Sequence, residues 1–141
     1  MNRSGATEKG TALMEFALAW PIVLVLVLGA VQLAIWESEA AAAHDAALAG
    51  ARAGTVAGAG VQVASGVTLG AMSGSLVGVR AAAWCPRDAR PAPPMWVCAT
   101  DAGAALQVDV GGSVPPLVPL VPGKGLPVHA HVILSKETFA R

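Results

Sequence analysis

From Phe16 to Trp36 the chain carries no charge, and Gln32 is the one strongly polar residue among those 21 positions. At a helical rise of ~1.5 Å per residue the run is roughly 32 Å long, matching a bilayer's hydrocarbon core of about 30 Å. It predicts a membrane-spanning helix. The pattern then changes without a breaker: Glu37 to Gly54 is dominated by Ala, the strongest helix former. One continuous helix is therefore expected from about Ala12 to Arg52, with Gly50 or Gly54 near its end.

Residues 53–79 form a second uncharged stretch, with Gly54, Gly58, Gly66, Gly70, Gly74 and Gly78 on a four-residue spacing. Two readings compete with a plain helix. One is a second membrane span with Gly-x-x-x-Gly packing, opposed by Gln62, Ser65, Thr68, Ser73 and Ser75. The other is strand, since Val61, Val63, Val67 and Leu69 alternate with smaller or polar residues. The balance predicts a helix over about 57–73 packed on the first, then a strand. Beyond it, Val77 to Trp84, Ala105 to Val110 and Val128 to Ser135 are Val-rich runs bounded by Gly and Pro. They predict a three-stranded antiparallel sheet covering the second helix, and hence an α+β fold class.

Charge sets the expected topology. Arg3 and Lys9 precede the apolar run, Glu37, Glu39 and Asp45 follow it, and the next basic residue is Arg52. The positive-inside bias puts the N-terminus in the cytoplasm and everything after Trp36 outside, with Trp36 suited to an interfacial anchor. A secretory signal peptide is the competing reading, with the Ala40–Ala43 tract as its cleavage region. Its apolar core would be about 7–15 residues, shorter than this run. Overall charge is zero, with nine basic and nine acidic residues among 141. No basic stripe offers a nucleic-acid footprint.

The segment Gly10-Thr-Ala-Leu-Met-Glu15-Phe16-Ala-Leu-Ala-Trp-Pro21, followed by an aliphatic run, resembles the start of the TadE-like family. The likeness extends through Ala49-Gly50-Ala51-Arg52-Ala53-Gly54. These are minor pilins or pseudopilins of tight-adherence (Tad/Flp) pilus systems. The resemblance implies a pilin-like fold with a long half-embedded helix. It further implies a leader at 1–10, cut by a membrane prepilin peptidase between Gly10 and Thr11. Residues 11–54 would then be the transmembrane and extended helix, and 55–141 an extracytoplasmic α+β domain. Glu15, Phe16 and Pro21 are the implied assembly residues. The partners implied are the peptidase, other pilins or pseudopilins, the pilus assembly platform and the cytoplasmic (inner) membrane. The tail, from Leu106-Gln-Val-Asp-Val110 through Pro127 to Val128-His-Ala-His-Val-Ile-Leu-Ser-Lys-Glu, resembles the end of such proteins more loosely.

Chemistry gives Glu15 a reason. Cleavage would expose an α-amino group on Thr11, charged near neutral pH, and Thr11 and Glu15 stand at i and i+4 on one side of a helix. A carboxylate at a membrane helix's centre costs about 2.5–3.5 kcal/mol, and less near an interface. An amine, its own or a neighbouring subunit's, would relieve that cost and reward correct register. Pro21 removes a helix hydrogen bond and is expected to bend the helix. A plain signal anchor would leave Glu15 as a boundary mark.

Cys85 and Cys98, the only cysteines, lie on the exported side, where a disulfide persists, and are expected to staple the loop between them. No Cys-x-x-Cys redox pair, Gly-x-Ser-x-Gly elbow or phosphate loop occurs. His129-x-His131 on one strand face is an incomplete metal shell, and reads as polar decoration of an edge strand. His44-Asp45 reads as helix surface. Neither catalysis nor a cofactor or metal is expected.

Overall fold

A single helix, α1 (Ser4–Thr55), runs unbroken through both the apolar run and the Ala-rich stretch. Its 52 residues correspond to roughly 78 Å of helix. The computed structural model describes residues 4–74, 78–116 and 125–136, those before Leu13 by their backbone alone. Arg3 and the middle of the Pro-rich connection (117–124) lie outside the described residues. The helix extends beyond the expected Ala12–Arg52 at both ends. Residues 4–11 hold no Pro, and Gly5 and Gly10 weaken a helix without stopping it.

After a turn at Gly58 (φ 84°) comes α2 (Val61–Met72), inside the expected 57–73. It is too short to cross a bilayer at about 18 Å, and Ala64, Thr68 and Met72 on one face are buried. That excludes the second-span reading. The Thr68 hydroxyl donates to the Ala64 carbonyl at 2.8 Å, so this buried polar group is satisfied within the helix.

The sheet departs from the three-strand expectation. Among the described residues it has four strands, β1 (Ala82–Ala83), β2 (Met95–Asp101), β3 (Ala105–Val114) and β4 (Leu126–Ser135), ordered β1-β2-β3-β4. β1 pairs parallel to β2, and the other two pairings are antiparallel. Of the strand expected over Val77–Trp84 only two residues pair; Gly78 adopts φ 68°, off the extended region, and Val77 is outside the described residues. The strand missing from the expectation is β2, which holds Cys98 itself.

Alternation divides the sheet cleanly. Val97, Ala99, Leu106, Val108, Val110, Val128, Ala130 and Val132 are buried and form one core with Ala43, Ala46, Ala47 and Ala51 of α1 and Ala64 and Met72 of α2. The two helices meet through glycines of α1. A Cβ on Gly50 would strike the Thr68 side chain and stand 2.7 Å from the Ala64 carbonyl oxygen. One on Gly54 would strike Leu106 and stand 2.7 Å from the Ala64 Cβ. The glycines of α2, Gly66 and Gly70, face open space.

Candidate functional site

The region with the most to explain is the first half of α1. From Leu13 to Val31 nearly every side chain is exposed, including Leu18 at 74% and Leu26 at 68%. Exposing that many large aliphatic side chains to water would forfeit about 1.5–3 kcal/mol each. The helix is long and apolar enough to cross a membrane, and Leu13–Val31 alone spans about 28 Å. Glu15 lies exposed near its start. Phe16 stacks on Trp20 one turn later, centroids 5.9 Å apart, making an aromatic pair beside the carboxylate. Pro21 lies inside α1, which continues on both sides of it. Gly10 and Thr11 fall within the helical backbone, so the expected cleavage bond lies within α1.

Burial begins abruptly at Gln32, 2% exposed although it sits in the apolar run. Its amide Nε2 donates to the Pro115 carbonyl at 3.4 Å. One turn on, the Trp36 indole Nε1 donates to the Pro127 carbonyl at 2.8 Å. Trp36, expected as an interfacial anchor, also latches the start of β4 onto α1. Glu39, another turn along, is 1% exposed and packed within the domain. These contacts orient the sheet. β3 runs antiparallel to α1, with Leu106 beside Gly54 and Pro115 beside Gln32. The β3–β4 end of the sheet therefore lies where the exposed half of α1 begins.

The opposite face of the sheet carries the polar and aromatic residues. Cys85 and Cys98 form the expected disulfide, Cα atoms 4.9 Å apart. It closes a loop of sequence separation 13, for which loop entropy predicts about 3 kcal/mol of stabilisation. Trp84 donates its Nε1 to the Arg90 carbonyl at 2.9 Å and meets Trp96 edge-on, holding the Pro-rich loop to the sheet. Trp96 in turn lies over Gly111, where a Cβ would collide with its ring, and faces His129.

His129 and His131 are exposed on β4, an edge strand, as the sequence suggested. The structure adds a partner that spacing did not reveal. His131 Nδ1 stands 2.5 Å from Asp109 Oδ1 on β3, and Gln107 donates to the other carboxylate oxygen at 2.8 Å. Only the strand register, pairing Asp109 with His131, could have disclosed it. His44 and Asp45 are exposed on α1. Among the described residues no group of three or more His, Cys, Asp or Glu is placed to hold a metal ion.

At the far end of the sheet, Lys136 Nζ reaches Asp101 Oδ2 at 2.6 Å. The Lys136 hydrogen bond, then the Gly103 N–H, hold the Asp101 carboxyl below its ordinary 3.8.

Residues 10–52 match the family model described as TadE-like protein. The match begins at Gly10 and ends three residues before α1 does, so it covers the exposed half of the helix and most of the buried half. The tail lies outside it. No curated protein and no solved structure matches the chain.

Proposed function

We propose that this chain, TadE-like over residues 10–52, is a minor pseudopilin: a structural or assembly subunit of a Tad/Flp-type pilus. A prepilin peptidase cuts it between Gly10 and Thr11. The mature helix is held in the cytoplasmic membrane with its domain outside, until it joins other pilins or the assembly platform. Glu15 sets axial register by pairing with an α-amino group, Phe16 and Pro21 shape the same contact surface, and the role is structural rather than catalytic.

One observation carries the reading. The family match starts at Gly10 of α1, just before the membrane-length stretch of that helix whose large apolar side chains face outward. A helix built this way has two uses for that surface, lipid before assembly and neighbouring helices after it. In lipid the pairing of a lone carboxylate is rewarded, because intramembrane ionisable groups are expensive when unpaired.

Mass spectrometry of the mature N-terminus, from cells with and without the prepilin peptidase, tests it. A start at Thr11 that requires the peptidase supports the reading. An intact 1–10 segment in both strains overturns it and leaves an uncleaved, membrane-anchored binding module. Glu15→Leu is then expected to be processed normally but to fail in pilus assembly, scored by surface-sheared fibre. Normal fibres from this variant would remove Glu15 from the register role.

A further inference from the structure

Four contacts fix the height of the extracytoplasmic domain on α1. Gln32 is tied to Pro115, Trp36 to Pro127, and Gly54 packs on Leu106 and Ala64. The exposed apolar half, Leu13–Val31, fills a hydrocarbon core by itself at about 28 Å. The level of Gln32 and Trp36 is then the outer boundary of the bilayer, and Pro115 and Pro127 are at that same level.

We infer that the β3–β4 end of the sheet rests on the membrane surface, giving the domain a second lipid contact beside its helix. This rests on the reading of α1 as a membrane span. The surface of that end is mostly apolar: Pro115 and Pro127 are exposed and Pro116 and Leu126 half-buried beside the half-buried Ser113, while Val114 is buried. They continue directly from the exposed aliphatic surface of α1, where Leu33 is 55% exposed beside the junction. The other end of the sheet is built for water instead, with the Asp101–Lys136 ion pair and exposed Ala102 and Ala104. Prolines suit the boundary because they present apolar surface with no backbone N–H left to satisfy.

Two consequences follow from seating the sheet in this way. The domain cannot swing freely about α1, since two side-chain-to-backbone bonds and a lipid contact oppose rotation. A lipid-facing edge at the junction also stays covered until the subunit leaves the bilayer, when a neighbouring subunit must replace the lipid.

Nitroxide labels on the full chain in phosphatidylcholine–phosphatidylglycerol vesicles test this, at Pro115→Cys, Ile22→Cys and Ala104→Cys separately. Each is read by collision with oxygen, which enriches in lipid, against a water-soluble nickel chelate. The expected result is an oxygen-to-nickel ratio at Pro115 several-fold above that at Ala104 and below that at Ile22. A ratio at Pro115 equal to that at Ala104, with Ile22 still lipid-like, overturns the inference and leaves the spanning helix standing. A water-like Ile22 overturns the span and the inference together. Low collision with both reagents at Pro115 means that protein, a second copy, covers this end, and likewise overturns it. Thermal melts of each labelled chain confirm that the substitutions leave the domain folded.

Discussion

The two halves of α1 share a backbone conformation and reverse each other's chemistry. Leu13–Val31 holds large aliphatic side chains and exposes them, whereas Gln32–Thr55 holds Ala and Gly and buries them: Ala43, Ala47 and Ala51 are fully covered. In a water-soluble protein large apolar side chains fill the core and small ones are tolerated outside. The inversion has a physical cause. Small residues let α2 and the sheet approach closely, while bulk is useful only toward lipid, where aliphatic surface carries no penalty. Helix propensity is satisfied in both halves and so distinguishes nothing; the surrounding medium does.

A charge at the middle of the exposed half should break this contrast most severely. Leu24→Asp costs about 2.5–3.5 kcal/mol of insertion free energy at a helix centre, on the order of a hundredfold in the inserted fraction. Ala41→Asp, exposed in the other half, should leave insertion unchanged. Alkaline carbonate extraction of membranes reads both. Equal retention of the two variants would mean that the exposed half does not meet lipid.

Next in size is Gly50→Ala. Helix propensity alone favours Ala by about 1 kcal/mol, but the new methyl would collide with Thr68 and crowd the Ala64 carbonyl oxygen at 2.7 Å. Backbone cannot retreat as a flexible side chain does, so overpacking of about 1–3 kcal/mol should win. The midpoint of urea unfolding in detergent should fall. Gly66→Ala provides the opposite arm: nothing stands near its would-be Cβ, and propensity should raise stability by up to about 1 kcal/mol. If both variants shift the same way, the helix contact is not where the structure places it.

These glycines also show what the sequence could and could not disclose. The four-residue spacing drew attention to the series from Gly54 to Gly78, yet of that series Gly54 alone makes the close approach, together with Gly50, and both belong to the preceding helix. Spacing marks a smooth face, whereas contact depends on how the second helix is rotated, which is a tertiary fact. The long helix was legible because an uncharged run passes into an Ala-rich one with no breaker between. β2 was overlooked for a different reason. Met95-Trp-Val-Cys-Ala-Thr is β-prone, but its cysteine marked it as the end of a stapled loop rather than a strand. Gln32 looked like a lone polar residue in a membrane run, and Trp36 like an interfacial anchor. Both are also latches, which local pattern could not show because their carbonyl partners lie 83 and 91 residues away.

The weakest effect sharpens the second contrast, between the apolar and charged ends of the sheet. Asp101 is held below its ordinary 3.8 chiefly by the Lys136 hydrogen bond, then by the Gly103 N–H. A carboxylate with a depressed folded value stabilises the fold above its unfolded value, and loses that contribution as pH falls through the folded one. Asp101→Asn keeps an oxygen for Gly103 and removes the charge that faces Lys136. The variant should therefore be slightly less stable than the parent at neutral pH, with the gap closing as acid protonates the parent. Because the pair is solvent-exposed, added salt should shrink the neutral-pH gap. Denaturation midpoints across a pH series, at low and high salt, measure both. A gap independent of pH would show that the turn's geometry, and not the ion pair, is what Asp101 supplies at the end facing water.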